Sequence, residues 1–258
     1  MNKKLLLLLI FTFQISLVLA VQPFGANYTI INSTRGTPDD PASIPAQAGN
    51  VTEININGFT TTQSWQGYFG NVTGTIQLAD GSDNIMYNWS LASPEGEIYT
   101  STSNSINWIN VQCLNFSSDG TLIDESGNGG TTSRHGTNLA QLEALFNMEF
   151  DDVDGVNETF NLIGPGTHDL FYTNNLEFSE GECQNTRLFS SIGAGENDKF
   201  EEVLLYEPES QAVIFTSLLD EDVLGFDNRP HDFEMLVLED GHGTDTATTP
   251  YYFYVELE

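Results

Sequence analysis

Basic residues are what this chain most lacks. Seven Lys and Arg stand against 37 Asp and Glu, a formal net charge of −30 in 258 residues. Lysine occurs only at Lys3, Lys4 and Lys199. Charged residues make up 17 % of the chain, below the usual quarter, so the imbalance comes from missing bases rather than surplus acids. A surface so poor in cations has no footprint for nucleic acid or for an anionic membrane face. Cysteine is scarcer still. Cys113 and Cys183 are the only two, and without a histidine pair nearby they make a poor zinc site. Catalytic signatures are missing as well: the chain has no HExxH, no GxSxG and no Cys–His arrangement. Glycosidase chemistry needs two carboxylates, and 37 of them select nothing. The expectation is a protein without catalytic activity. The alternative, an extracellular hydrolase, would need a cleft holding a carboxylate of strongly raised pKa.

Long apolar runs are confined to the start. Residues 1–20 read MNKKLLLLLIFTFQISLVLA, with a basic opening, a nearly continuous apolar stretch, and Val18 and Ala20 at the small-residue positions before a cut. This is the pattern of a cleavable secretory signal peptide. The competing reading, an uncleaved anchor, needs about 20 apolar residues, and this run is shorter and interrupted by Gln14. The mature chain is expected to lack a transmembrane segment, and to be released or held at a cell surface by a partner. Cleavage would remove two lysines and no acid, leaving a formal charge of −32.

Export changes how the cysteines read. An isolated pair in an oxidising compartment predicts one Cys113–Cys183 disulfide, against the alternative of two separate buried thiols. Seven Asn-x-Ser/Thr acceptors follow the leader: Asn27, Asn32, Asn50, Asn71, Asn88, Asn115 and Asn157. All lie at or before Asn157, whereas 21 of the 37 acids lie after residue 158. The reading is a glycan-coated first part and a bare, acidic second part.

Between the leader and the end, period-2 alternation and β-branched or aromatic enrichment recur. Strands are predicted at 27–31, 51–57, 72–78, 85–91, 97–101, 106–113, 159–163, 170–173, 186–190, 200–206, 212–218, 233–238 and 251–257. Turn signals separate them, such as Asp80-Gly81-Ser82-Asp83 and Ser93-Pro94-Glu95-Gly96. Many short strands with frequent turns predict an all-β fold, a β-sandwich of antiparallel strands. One helix interrupts the pattern near residues 138–148, with Leu139, Leu142, Leu145 and Phe146 on one face. Residues 21–49, carrying Pro23, Pro38, Pro41 and Pro45, read as an extended arm. Residues 50–258 read as a single sandwich domain with a long excursion at about 117–158, because the disulfide would bridge the polar, Gly-rich stretch that otherwise suggests a boundary.

Several groupings carry possible chemistry. Asp152, Asp154, Asn157 and Glu158 offer hard oxygen ligands around Gly155, in part like a calcium loop. The spacing departs from an EF-hand, and a solvated acidic turn fits as well. Acid-rich stretches at 220–227 and 239–245 fit acidic turns between strands. His168-Asp169 and His231-Asp232 invite an acid/base or metal reading, but neighbours on a strand point to opposite faces. Trp65, Tyr68 and Phe69 suit either a sugar-stacking platform or a sandwich core, and Trp89 and Trp108 are placed on strands. Ala26–Ile31 on the arm, and the closing YYFYVEL, could extend a neighbouring sheet instead of pairing within the chain.

The stretches SWQGYFGNVTGTIQLADGSDNIMYNWSLASPEGEIY, INWINVQC, FEEVLLYEP, and GFDNRPHDFEMLVLEDGHG followed by TTPYYFYVELE resemble a family of uncharacterised secreted archaeal cell-surface proteins. The resemblance runs from roughly Gly58 onward. It implies an exported, glycosylatable, β-rich envelope protein and supplies no catalytic residues. The functional expectation is a secreted, glycosylated structural or interaction protein whose partners are other surface proteins or itself. The alternatives are a carbohydrate- or calcium-dependent adhesin-type module, with glycans as partners, and an extracellular filament subunit assembled by strand exchange. No cofactor is implied beyond a possible calcium ion.

Overall fold

Two adjacent β-strands, EEVLLYE and AVIFTSL, are buried almost throughout and form the centre of the principal sheet. The computed structural model describes residues 22–114, 116, 139–242 and 246–257. In chain order the elements are β1 (Phe24–Gly25), β2 (Trp65–Gly70), β3 (Thr75–Ala79), β4 (Ile85–Ser90), β5 (Gly96–Ser101), β6 (Gln112–Cys113), α1 (Leu139–Leu145), α2 (Val156–Thr159), β7 (Phe171–Thr173), β8 (Leu176–Phe178), β9 (Asn185–Arg187), β10 (Glu201–Glu207), β11 (Ala212–Leu218), β12 (Val223–Leu224), β13 (Pro230–His231), β14 (Phe233–Leu238) and β15 (Tyr252–Leu257). The fold is all-β and sandwich-like, with every strand pair antiparallel.

The principal sheet has the order β1-β15-β5-β11-β10-β6, with β9 also on β10. Its middle strands are buried on both faces, so β10 and β11 show no apolar/polar alternation, and β10 buries Glu201, Glu202 and Glu207 beside its apolar residues. On one face Ile98, Leu204, Tyr206 and Phe215 meet Met235, Val237 and Leu238 of the β2–β14 pair, and the helices add Leu139, Leu142, Val156 and Phe160. On the other, Tyr99, Val203, Leu205 and Ile214 meet Trp108, Val111, Phe171 and Phe178. The Cys113–Cys183 disulfide lies within this second cluster, both sulfur-bearing residues buried and their Cα atoms 5.0 Å apart.

Differences from the sequence reading have local causes. The helix ends at Leu145, since Asn147 adopts a left-handed φ of 56°, and Leu145 is exposed while Leu139 and Leu142 are buried. The strand predicted at 159–163 is instead the end of α2, followed by a single bridge from Leu162 to Asn185. Segments 27–31 and 51–57 are in no strand: the arm pairs through Phe24 and Gly25 with β15, donates Ala26 N–H to the Phe253 carbonyl, and then runs exposed. YYFYVEL is not an edge for donation. As β15 it lies between β1 and β5. The leader, Asn115 and most of the excursion (117–138) lie outside the described residues. Among the described residues no helix is long and apolar enough to cross a membrane.

Candidate interaction surface

The proposed calcium ligands are held by separate neighbours. Asp152 Oδ2 accepts the Glu149 N–H at 2.7 Å. Asp154 Oδ2 accepts the Thr62 hydroxyl, and its carbonyl accepts the Trp65 indole N–H at 2.6 Å. Asn157 donates to Glu158 Oε1 at 3.2 Å. Buried Glu143, from α1, accepts the Val156 N–H at 3.0 Å and so caps α2. Burial pushes the Glu143 carboxyl up, against the Val156 hydrogen bond. Among the described residues no three His, Cys, Asp or Glu side chains gather as a metal set.

Neither His-Asp pair forms an imidazole–carboxylate contact, and His168-Asp169 lies outside any strand. His168 is locked between the Asp169 carbonyl, 2.7 Å from Nδ1, and the Cys183 N–H, which donates to Nε2 at 3.0 Å. Burial lowers its pKa, so it stands neutral with its proton on Nδ1. Asp232 turns away from His231 to accept the N–H groups of Val72 and Asp222. His231 Nε2 instead meets Asp227 Oδ1 at 2.9 Å. Burial pushes the Asp227 carboxyl up, but hydrogen bonds from Arg229 and His231 outweigh it and hold the group at about 2. Glu234 stands nearby with its pKa raised by burial, and its Oε1 accepts the Phe226 N–H at 3.0 Å.

Glu234 lines an open cleft of about 1270 Å³, together with Arg35 of the arm, Thr61, Phe69, Phe226 and Leu236. Two charged groups on this lining are held by neighbours: Glu234 as above, and Arg187 by buried Glu201 at 3.3 Å and by the Gly166 carbonyl. Glu158 and Glu239 also line it, so the cleft mixes apolar and charged surface.

The platform residues divide as well. Trp65 packs on Phe160 and Phe215, and Tyr68 on Phe253, so both serve the core. Trp108 is buried between Tyr99 and Tyr254. Trp89 is the exception, and it marks a surface that sequence reasoning placed inside.

Trp89 lies on the β3–β4 hairpin, which pairs with no other strand. Opposed residues share a face, so Ile76 with Trp89, and Leu78 with Tyr87, form one side. Thr75, Gln77, Asn88 and Ser90 form the other, polar except next to the turn, where a register shift after Leu78 pairs Ala79 with exposed Ile85. The first side is wholly apolar and belongs to neither core cluster: Ile76 is 47 % exposed, Leu78 51 %, Tyr87 59 % and Trp89 50 %. The Tyr87 and Trp89 rings sit 4.8 Å apart. The turn is well built. The Asn84 side-chain amide donates to the Asp80 carboxylate and, with the N–H groups of Asn84 and Ser82 donating to Oδ1, lowers the Asp80 pKa, while Asp83 takes a φ of 61°. At the base, Val72 packs into the core and Gly74 lies so close to Leu257 that a Cβ there would collide with it.

Charge sets this region apart. Residues 41–94 hold three acids, Glu53, Asp80 and Asp83, and no base. The strands β3 and β4 hold no charge at all. The other 34 acids lie elsewhere in the sequence. The acceptors Asn27, Asn32, Asn50, Asn71 and Asn88 are all exposed, with Asn88 on the polar side of the hairpin, while Asn157 is half-buried. The sequence signal was available in the alternation of TIQLA and MYNWS. Large aromatics on strands read as core, because they supply much of a sandwich's buried area.

Comparison with known proteins finds no matching family model, no matching curated protein and no matching solved structure.

Proposed function

We propose that this is a secreted, glycosylated cell-surface protein that works by association and not by catalysis. The carrying observation is the hairpin: an apolar face formed by Ile76, Leu78, Tyr87 and Trp89, held out from the cores, with a glycan acceptor on its opposite side. Exposed contiguous apolar area of this kind marks contact sites on proteins. The leader, the buried disulfide and the exposed acceptors support export to an oxidising compartment. The archaeal-envelope expectation, carried by the sequence resemblance alone, fits the same picture. The commitment of Asp152, Asp154 and Asn157 to internal hydrogen bonds gives the calcium-dependent reading no support.

The test is expression with the leader in a secreting host that glycosylates Asn-x-Ser/Thr sites. The expected product lies outside the cytosol, begins after residue 20, carries sugar on Asn71 and Asn88, and fractionates with the envelope or medium. A cytosolic product with both thiols reduced would refute the reading.

A further inference from the structure

We infer that the apolar face of the β3–β4 hairpin is a self-contact, covered by the same face of a second copy of this chain. This rests on the surface-protein reading and names the partner of its site. Three observations select that occupant.

The first is electrostatic. Two secreted copies at −32 each repel over most approaches, yet the hairpin strands themselves are uncharged and the stretch 41–94 around them has three acids. Like can meet like there at little Coulomb cost. A cationic partner would find nothing to hold on this face and much to hold elsewhere.

The second is chemical. The face pairs an aliphatic strand, with Ile76 and Leu78, against an aromatic one, with Tyr87 and Trp89. A two-fold rotation can lay the aromatic side of one copy over the aliphatic side of the other, giving a self-complementary contact. A glycan on Asn88 would stand on the opposite side and leave the contact clear.

The third is size. At 47–59 % exposure the four side chains offer on the order of 400–500 Å² per copy. Two copies together fall short of the roughly 1,200–2,000 Å² of a stable complex. The contact is therefore weak in solution and gains strength when many copies share one surface.

The experiment is sedimentation equilibrium of the full secreted product from 5 µM to about 1 mM, in about 0.05 M and 1 M NaCl. A dimer is expected that strengthens with salt, because salt screens the repulsion of the bodies. The double variant Tyr87→Gln, Trp89→Gln should weaken it at least tenfold. Gln77→Ser, on the polar side, should leave it unchanged, and both variants should match the parent in circular dichroism. Because the described chain has no free cysteine, Leu78→Cys should cross-link two copies under oxidation and Gln77→Cys should not. A monomer at every concentration and salt overturns the proposal, as does a dimer indifferent to the double variant. Sugar binding by the monomer that is lost in the double variant would assign the face to carbohydrate instead. Neither result bears on export or glycosylation, which the secretion test decides separately.

Discussion

Replacing Glu202 by Gln isolates the contribution of one buried acid. Glu202 lies on the central strand β10 with no exposure, and its Oε2 accepts the Leu236 N–H at 2.8 Å. Its Oε1 has no hydrogen-bond partner among the described residues. Burial pushes its pKa well above the ordinary carboxylate value, only partly offset by the Leu236 hydrogen bond, so the folded protein holds it as the neutral acid. An acid whose folded pKa is raised contributes full stability below its unfolded pKa, and that stability is lost as pH climbs toward the folded value. In that window each pH unit costs up to about 1 kcal/mol from this residue alone. Gln keeps an oxygen for the Leu236 N–H and cannot ionise. Glu202→Gln should lose up to about 1 kcal/mol near pH 4, where its extra amide hydrogen lacks a partner. It should gain steadily on the parent above pH 5 and be the more stable protein at pH 7. Urea unfolding followed by tryptophan fluorescence from pH 4 to pH 8 measures both curves. Parallel curves would refute the assignment of a buried neutral acid, whatever the other carboxylates contribute, since those are common to both proteins.

Other outcomes follow from the same packing. Burial likewise raises Glu201, Asp220 and Glu234, so the parent should melt higher near pH 5 than at pH 8, as calorimetry can check. Arg187→Ala strips buried Glu201 of its ion-pair partner and should cost about 3 kcal/mol at pH 7, by urea denaturation, and less near pH 4.5, where Glu201 can protonate. Replacing both cysteines by alanine reopens a separation of 70 residues and should cost about 4 kcal/mol in the same assay. Trp65→Phe removes the indole hydrogen bond to the Asp154 carbonyl and should cost about 1–2 kcal/mol, with added calcium failing to restore it.

How much of this was legible depended on whether a residue's neighbours were local. Residues 212–218 and 233–238 were assigned from apolar content, and the strands match to the residue. The disulfide was legible because only one pairing exists. Strand β2, WQGYFG, was missed because its glycines weaken any strand signal, and it is held by β14, more than 160 residues away. The His231–Asp227 contact was missed because it needs the left-handed turn at Asn228 to bring residues four apart together. The hairpin itself was correctly placed, but which side met the core, or whether either did, depended on what lay above it. Period-2 alternation says that a strand has two unlike faces and is silent on which of them is covered.

The place of β15 sets an order of events in folding. Residues 252–257 are translated after every other described strand, yet they fill the gap between β1 and β5. Until they emerge, the facing edge of β5 has no ladder partner, and Phe24 and Gly25 have nothing to join. The principal sheet can therefore close only after this late segment has been made, whatever its earlier strands have already done.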